Sequence, residues 1–484
     1  MLISLAGPGP RFQQIYRAIY DLIVSGKLTP GMRLPVTRQL ARDLGVSRNA
    51  VLIAYEQLIA NGLASARVGS GTYVKGTVRT MLRPASPGIQ PAALRVSRYA
   101  RKLLNTPASL SKPLVPVPYD FDCAAASPED FPAKRWQKLA AHRLQTPSVN
   151  YLHPAGDAGL REALAAHLRI SRGVDAGPDQ ILIVNGSSQA LDLVARVLID
   201  ERDTVIIEDP NYRVARDIFL SSGARLLPIR ADPLGLRTSE LPPDSCAVKL
   251  AYVTPSHQFP SGGVLSRERR QALLTWAGRT GAYIVEDDYS SEYFYGHPPI
   301  EALQGIDRRG LVIYVGTFSR ILSPSMRLGY LVLPKALVVP FLHAKHLVDC
   351  HSAALPQQIL ADFIRAGYLA PHVRECRTRK ANLRAALLDS IARYLGPRAK
   401  VRGADSGVHL VLSLPDLPPN RIPPLCAAAG ARGLRIYPAS PFYLTPPNQS
   451  EFIMGYAAMT VEKIVAGIRV LGVLLRQHDF SLTG

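Results

Sequence analysis

Five short runs constrain this chain more than any other feature: Ile181-Leu-Ile-Val, Thr204-Val-Ile-Ile, Lys249-Leu-Ala-Tyr-Val, Ala282-Tyr-Ile-Val and Leu311-Val-Ile-Tyr-Val. Each is nearly free of polar residues, and segments of helical character lie between them. A strand that is apolar at almost every position has to bury both of its faces. The runs therefore predict a mostly parallel sheet, covered by helices on both sides, from Val117 onward. Ligands of such sheets bind at the carboxyl ends of the strands. The residues that follow each run are where chemistry is expected.

Those residues form polar clusters. Asn185-Gly-Ser-Ser-Gln leads straight into a helix, where free backbone N–H groups and the helix dipole favour a phosphate on Ser187 and Ser188. A plain helix cap would use the same residues. In Glu208-Asp-Pro-Asn-Tyr-Arg, the ring of Tyr212 can lie over a flat heterocycle. In Glu286-Asp-Asp-Tyr-Ser-Ser-Glu, a buried carboxylate can hold a protonated pyridine nitrogen and a phenol can bond a ring oxygen. Gly316-Thr-Phe-Ser-Arg320 and then Arg327 add phosphate donors in Thr317, Ser319 and Arg327. One such cluster alone reads as structural. Four of them in order, each at a strand end, read as one site.

The N-terminal part follows different rules. Ile15, Ile19, Leu22 and Ile23 make a helical stripe, which Ser25-Gly26 ends. A second helix follows Pro35, with Thr37 as its expected cap and Leu40, Ala41 and Leu44 inward. Gly45 turns the chain. Ser47 caps a third helix with Val51, Leu52, Tyr55 and Leu58 at core spacing. Around Gly69-Ser70-Gly71 two short strands would form a wing. A helix that begins with small polar and cationic groups can enter the major groove N-terminus first. Ser47, Arg48 and Asn49 stand there; arginine can bridge guanine and asparagine adenine. Arg33, Arg38, Arg42 and Arg67 suit phosphates, with Ser70 and Thr72 on the wing. Three helices alone would fit a small subdomain with a solvated basic face; the Gly45 turn and the glycine wing favour DNA binding.

The chain has 484 residues and a formal net charge of +20, which fits several domains and a polyanionic partner such as double-stranded DNA. Five scattered cysteines argue against a zinc site or a disulfide framework. Met1-Leu-Ile-Ser-Leu-Ala-Gly-Pro lacks the basic start and long apolar run of a signal peptide, so a cytoplasmic location is expected. The domains expected are residues 1–76, a basic proline-containing linker at 77–115, and residues 116–484. The linker carries Arg79, Arg83, Arg95, Arg98, Arg101, Lys102 and Lys112 and no acidic residue. It serves either as a tether that touches DNA phosphates or as a solvated spacer. Ala92 to Leu104 can form a short amphipathic helix within it.

Arg11 to Val74 closely resembles the winged-helix domain of GntR-type regulators. Tyr119 to Leu475 resembles a fold-type I aminotransferase, the α/β class that uses pyridoxal phosphate and carries a smaller C-terminal α+β subdomain. The phrases that carry this are Asn150-Tyr-Leu-His-Pro-Ala-Gly-Asp, Thr254-Pro-Ser-His-Gln-Phe-Pro-Ser-Gly, Glu286-Asp-Asp-Tyr, Gly316-Thr-Phe-Ser, Arg435-Ile-Tyr-Pro and Met454-Gly-Tyr-Ala. Together the two parts resemble the MocR subfamily of GntR regulators. The resemblance implies phosphate contacts from Ser187, Ser188, Thr317, Ser319 and Arg327. It implies stacking by Tyr212, a pyridine-nitrogen partner in Asp287, a ring-hydroxyl partner in Tyr289, and His257 and Gln258 near the ring. It also implies a head-to-tail homodimer.

Two positions depart from that pattern. The Schiff-base lysine should follow Gly-Thr-Phe-Ser, and Arg320 stands there. A guanidinium keeps its proton at neutral pH and offers no amine to tether an aldehyde or to shuttle a proton. Pyridoxal 5′-phosphate or pyridoxamine phosphate would then be held noncovalently, or the guanidinium would anchor another acidic ligand. The substrate-carboxylate arginine is missing as well: the matching stretch is Phe452-Ile-Met-Gly-Tyr, and Arg435 is either its replacement or a surface residue. The expectation is a transcriptional regulator that senses a small-molecule effector, with no catalytic residue and no metal ligand. The alternatives are an aminotransferase with an accessory DNA-binding domain and an architectural DNA binder with a filled cleft.

Overall fold

The computed structural model describes residues 5, 9–67, 69–75, 95–105, 115–295 and 300–477. They belong to two compact units, Met1–Arg95 and Val96–Gly484. Most of the expected linker, residues 77–94 and 106–114, lies outside the described residues.

In the first unit, α1 (Arg11–Val24), α2 (Thr37–Leu44) and α3 (Arg48–Ala60) precede a hairpin of β1 (Ala64–Arg67) and β2 (Gly71–Val74). Ile15, Ile19 and Ile23 are fully buried against Leu40, Val51, Ala54 and Leu58. The α2–α3 turn needs Gly45, whose φ of 63° is left-handed and strained for residues with a Cβ. Two sequence expectations change. Thr37 opens α2 instead of capping it: Val36 holds the cap position and no side chain bonds the helix end. Leu52 is 38% exposed and Ala54 takes its place in the core. The buried stripe is 51, 54, 55 and 58, and position 52 lies about 100° around the helix from 51.

The second unit opens with α4 (Arg98–Asn105), which overlaps the segment Ala92 to Leu104 where a short amphipathic helix was expected. Its Arg98 lies 2.5 Å from Glu201, with Lys102 beside the same carboxylate. After β3 (Tyr119–Asp120), α5 (Ala133–Gln145) and α6 (Ala158–Arg172) come the sheet strands. They are β4 (Ile181–Val184), β5 (Thr204–Asp209), β6 (Arg225–Asp232), β7 (Gly235–Leu236), β8 (Val248–Val253), β9 (Tyr283–Asp288), β10 (Val312–Thr317) and β11 (Gly329–Val332). Their order is β4-β11-β10-β9-β8-β5-β6-β7. From β10 to β6 every pair is parallel, and β11 runs antiparallel to both its neighbours.

Side chains alternate across a strand, and both sets are buried here. Leu182, Val205, Ile207, Val285 and Val315 pack with α7 (Ser187–Leu198), α8 (Arg213–Ser222) and Phe341. Ile206, Ala251, Val253, Ile284 and Val312 pack on the other face with α9 (Arg267–Thr280). The strands run beyond their apolar stretches: β5 takes in Glu208 and Asp209, β9 takes in Glu286 to Asp288, and β10 takes in Gly316 and Thr317. The polar clusters are thus partly strand residues, and alternation sorts their side chains.

Beyond α10 (Leu303–Ile306), α11 (Val338–Asp349), α12 (Ala354–Arg365) and α13 (Leu369–Tyr394), a smaller layer follows. It is an antiparallel sheet of β12 (Lys400–Arg402), β13 (His409–Leu414), β16 (Ser450–Gly455) and β15 (Tyr437–Pro438). α14 (Ile422–Ala431) and α15 (Val461–Gln477) cover it, and β14 (Leu434–Arg435) pairs with β3. Among the described residues no helix is long and apolar enough to cross a membrane.

Candidate functional site

The first unit presents one basic surface. Residues 9–75 hold nine lysines and arginines against three acidic residues. Ser47 caps α3, its Oγ accepting from the N–H of Ala50 at 3.2 Å. This leaves Arg48 and Asn49 exposed on the first turn, with Arg33, Arg38 and Arg67 exposed as well. In the wing, Arg67 stacks on the Tyr73 ring at 4.8 Å, and Tyr73 bonds Ser70 at 2.7 Å. Tyr73 stiffens the hairpin, a role the sequence did not disclose. Gly71 has φ 113°, a backbone conformation strained for residues with a Cβ.

In the second unit, three consecutive acids on β9 do three jobs. Glu286 accepts from the N–H groups of Leu303 and Gln304 at 2.8 and 3.0 Å, capping α10. Asp288 meets Arg172 at 2.8 Å and accepts from Tyr314 at 2.5 Å. Asp287 points to the opposite face. There Tyr252 donates to its Oδ2 at 2.7 Å, while its buried Oδ1 has no partner. Burial raises the Asp287 pKa to about 7, against the opposing Tyr252 hydrogen bond.

Around Asp287 other buried polar atoms also lack partners: the Tyr289 hydroxyl, both ends of the Asn211 amide and His257 Nε2. Native interiors leave few polar groups unpaired unless something else satisfies them. Aromatic rings enclose the group. Phe259 packs edge-on against Tyr212 at 5.7 Å and Tyr289 at 5.9 Å, and His257 lies 4.8 Å from His409. Burial, His409 and Arg320 push the His257 pKa well below its ordinary value. Burial and Arg320 lower His409 to about 3, so both rings are neutral. The Gln258 amide is engaged with the carbonyls of Pro210 and Phe259 and with Glu208, which fixes the loop backbone.

The loop into α7 forms a cradle. Gly186 has φ 83°, and a Cβ on it would sit 2.7 Å from Nη2 of Arg327, which itself donates to the Asn185 carbonyl at 2.9 Å. Ser187 and Ser188 open α7. Thr317 bonds Ser319 at 2.9 Å. Asp349 braces the loop from behind, accepting from Asn185 and Gln189 at 2.8 Å each.

Arg320 donates to the carbonyl of Cys123 at 2.7 Å, and its own carbonyl accepts from Tyr293 at 2.9 Å. Its charge acts on Tyr212, Tyr289, His257 and His409, so it faces the same cluster. Arg435 is a held residue, not an open surface one: it pairs with Asp120 at 2.6 Å and bonds the Val115 carbonyl. The smaller layer touches the site region directly. Asp209 accepts from the N–H groups of Leu444 and Thr445 at 2.8 and 3.0 Å. Gly262 and Gly403 meet backbone to backbone, and a Cβ on Gly262 would fall onto the Cα of Gly403. Among the described residues no group of side chains could hold a metal ion.

A winged helix-turn-helix and an aminotransferase-type α/β unit define a class of two-part regulators. The model for bacterial regulatory proteins of the gntR family matches residues 11–74, and that for aminotransferase class I and II matches residues 123–469. The chain is 34% identical over 474 residues to the probable rhizopine catabolism regulatory protein MocR of Rhizobium meliloti, covering 96% of this chain and 93% of that one. It is 29% identical over 447 residues to the HTH-type pyridoxine biosynthesis transcriptional regulator PdxR of Corynebacterium glutamicum, covering 92% and 91%. Among solved structures it is similar to the α-aminoadipate aminotransferase LysN of Thermus thermophilus, complexed with N-(5′-phosphopyridoxyl)-L-leucine. The TM-score is 0.68 at 26% identity, covering 79% of this chain and 95% of that one. The chain belongs to the MocR-type regulators of the GntR family and is a DNA-binding transcriptional regulator.

Proposed function

We propose that the aminotransferase-like unit is a sensor, not an enzyme, and that it binds a phosphorylated B6 compound noncovalently. The observation that carries this is the set of partnerless buried atoms on Asp287, Tyr289 and Asn211, in a unit that also holds the Gly186–Ser188 cradle. Those residue types fit a pyridine with a ring oxygen and a phosphate. Asp287 would face the ring nitrogen, Tyr289 and Asn211 the ring oxygen, and Tyr212 the ring plane. Ser187, Ser188, Thr317, Ser319 and Arg327 would hold the phosphate. When bound, pyridoxal phosphate supplies an electrophilic aldehyde on an electron-withdrawing ring. This chain sets no amine at position 320 to use it. Asp287, poised near neutrality when alone, becomes a stable carboxylate beside a protonated ring nitrogen. Isothermal titration with pyridoxal phosphate tests the reading. Wild type should bind, and Asp287→Ala and Arg327→Ala should each weaken binding about tenfold or more. Heatless titrations with both pyridoxal and pyridoxamine phosphates would sink it.

The protein would act in the cytoplasm as a head-to-tail homodimer on repeated operator half-sites. Ligand binding would shift the population toward a closed cleft and so alter the winged helices' engagement. Arg48 and Asn49 would read bases, while Arg33, Arg38 and Arg67 with Ser70 and Thr72 would hold phosphates. Arg48→Ala should cost roughly 1–3 kcal/mol and relax base preference at one position. Arg38→Ala should weaken all sequences alike and lower the salt slope by about one. Gel-shift titrations on a base-substituted operator series at several salt concentrations separate the two.

A further inference from the structure

We propose that Arg320 selects the ligand by charge. The site prefers a pyridine phosphate whose 4′ group is a carboxylate, or a neutral oxygen acceptor, over one whose 4′ group is an ammonium. This rests on the B6-type reading above and goes further by naming which member of that class the pocket takes.

The argument starts from charge balance. Arg320 forms no ion pair among the described residues, and its one side-chain hydrogen bond there is to the neutral carbonyl of Cys123. The groups its charge acts on supply no anion. Burial holds Tyr212 and Tyr289 in their protonated forms, and His257 and His409 are neutral. Asp287, the acid in this cluster, is engaged by Tyr252. Arg320 is therefore a fixed cation without an ion-pair partner among the described residues, and Asp287 is committed to Tyr252 and, in the bound state, to the ring nitrogen. A lysine could relieve this by shedding its proton, but a guanidinium does not.

Its position is also fixed. Nη1 is held on Cys123, and the Arg320 carbonyl is held by Tyr293, which is fully buried. A guanidinium so placed keeps a fork of N–H groups, a match for two carboxylate oxygens. Position 320 is where the resemblance puts the amine that would meet the 4′ aldehyde, so the 4′ substituent is the group that meets this fork. A carboxylate there forms two charge-assisted bonds. An aldehyde or hydroxymethyl oxygen accepts one. An aminomethyl group arrives as a second cation where histidines and phenols provide no counter-charge.

Titration calorimetry of the full chain with four compounds tests this: 4-pyridoxic acid 5′-phosphate, pyridoxal 5′-phosphate, pyridoxine 5′-phosphate and pyridoxamine 5′-phosphate. Wild type should bind the acid at least about tenfold tighter than the amine, with the aldehyde and alcohol between. Arg320→Met should collapse or invert that order while changing pyridoxine phosphate affinity least. Arg320→Gln serves the same purpose if the methionine variant fails to fold. Equal affinity for acid and amine in wild type overturns the inference and leaves the B6 reading standing. So does an order that survives loss of the guanidinium. Failure of all four compounds to bind overturns both.

Discussion

Arg320→Lys is expected to change how pyridoxal phosphate is held, from reversible association to covalent attachment. After borohydride treatment, the variant should carry the phosphopyridoxyl mass on the peptide containing position 320, at close to one per chain. Wild type treated in parallel should show none there. The expectation follows from preorganisation: if the cradle, Tyr212, Asp287 and Tyr289 hold the ring, a neutral amine at position 320 is already in reach of the aldehyde. Wild-type chain incubated with amino acids should release no keto acid. Turnover at ordinary enzyme rates would mean another amine has taken over the missing role. An unmodified lysine variant whose binding is intact would mean position 320 does not face the aldehyde.

Arg172→Met is expected to be the most damaging change to stability, at about 3–5 kcal/mol. Arg172 is 6% exposed and its partner Asp288 is fully buried. Arg172 also donates to the carbonyl of Ile300 at 2.7 Å and to Ser256 at 2.8 Å, so it joins α6, β9 and the loop after β8. Without it a carboxylate stays buried with Tyr314 and Ser256 as its remaining donors. Burial raises the Asp288 pKa, but Arg172, Tyr314 and Ser256 outweigh burial and hold it below the ordinary value. The stabilisation by this carboxylate is therefore present above the unfolded pKa of about 3.9 and lost as pH falls through the lower folded value. Urea unfolding of the full chain should show the deficit at pH 7. The gap to wild type should narrow on acidification below about pH 4, as the wild-type pair itself is lost. A deficit that does not depend on pH would point to lost packing, not lost charge.

The sheet was legible because burying a strand on both faces leaves an unbroken apolar run, and each of the five runs became a strand. Their ends were not, because Asp209 and Asp288 are strand residues with polar side chains, and hydrophobicity stops before the backbone pairing does. Similar local ambiguity put Leu52 in a core that Ala54 occupies, since both positions are apolar and only the packing chooses between them. The candidate site was readable where its residues stand beside one another in sequence, as in Glu286 to Tyr289. It was not readable where neighbours are made by the fold. Cys123, which holds Arg320, is 197 residues away from it. Tyr252 lies within an apolar run and looked like core, yet its hydroxyl orients Asp287. Asn211 stood inside a noted motif, but only its partnerless amide marks it out.

The contact between Gly262 and Gly403 sets a mechanical limit on this molecule. The loop beside the aromatic cluster and the smaller layer touch there through two residues with no side chains, so nothing thinner could separate them. A side chain at either position would collide with the backbone of the other segment. Both positions also have left-handed φ, 76° and 70°, so any residue with a Cβ meets backbone strain as well as the clash. The two glycines therefore fix the closest approach of the loop and the smaller layer.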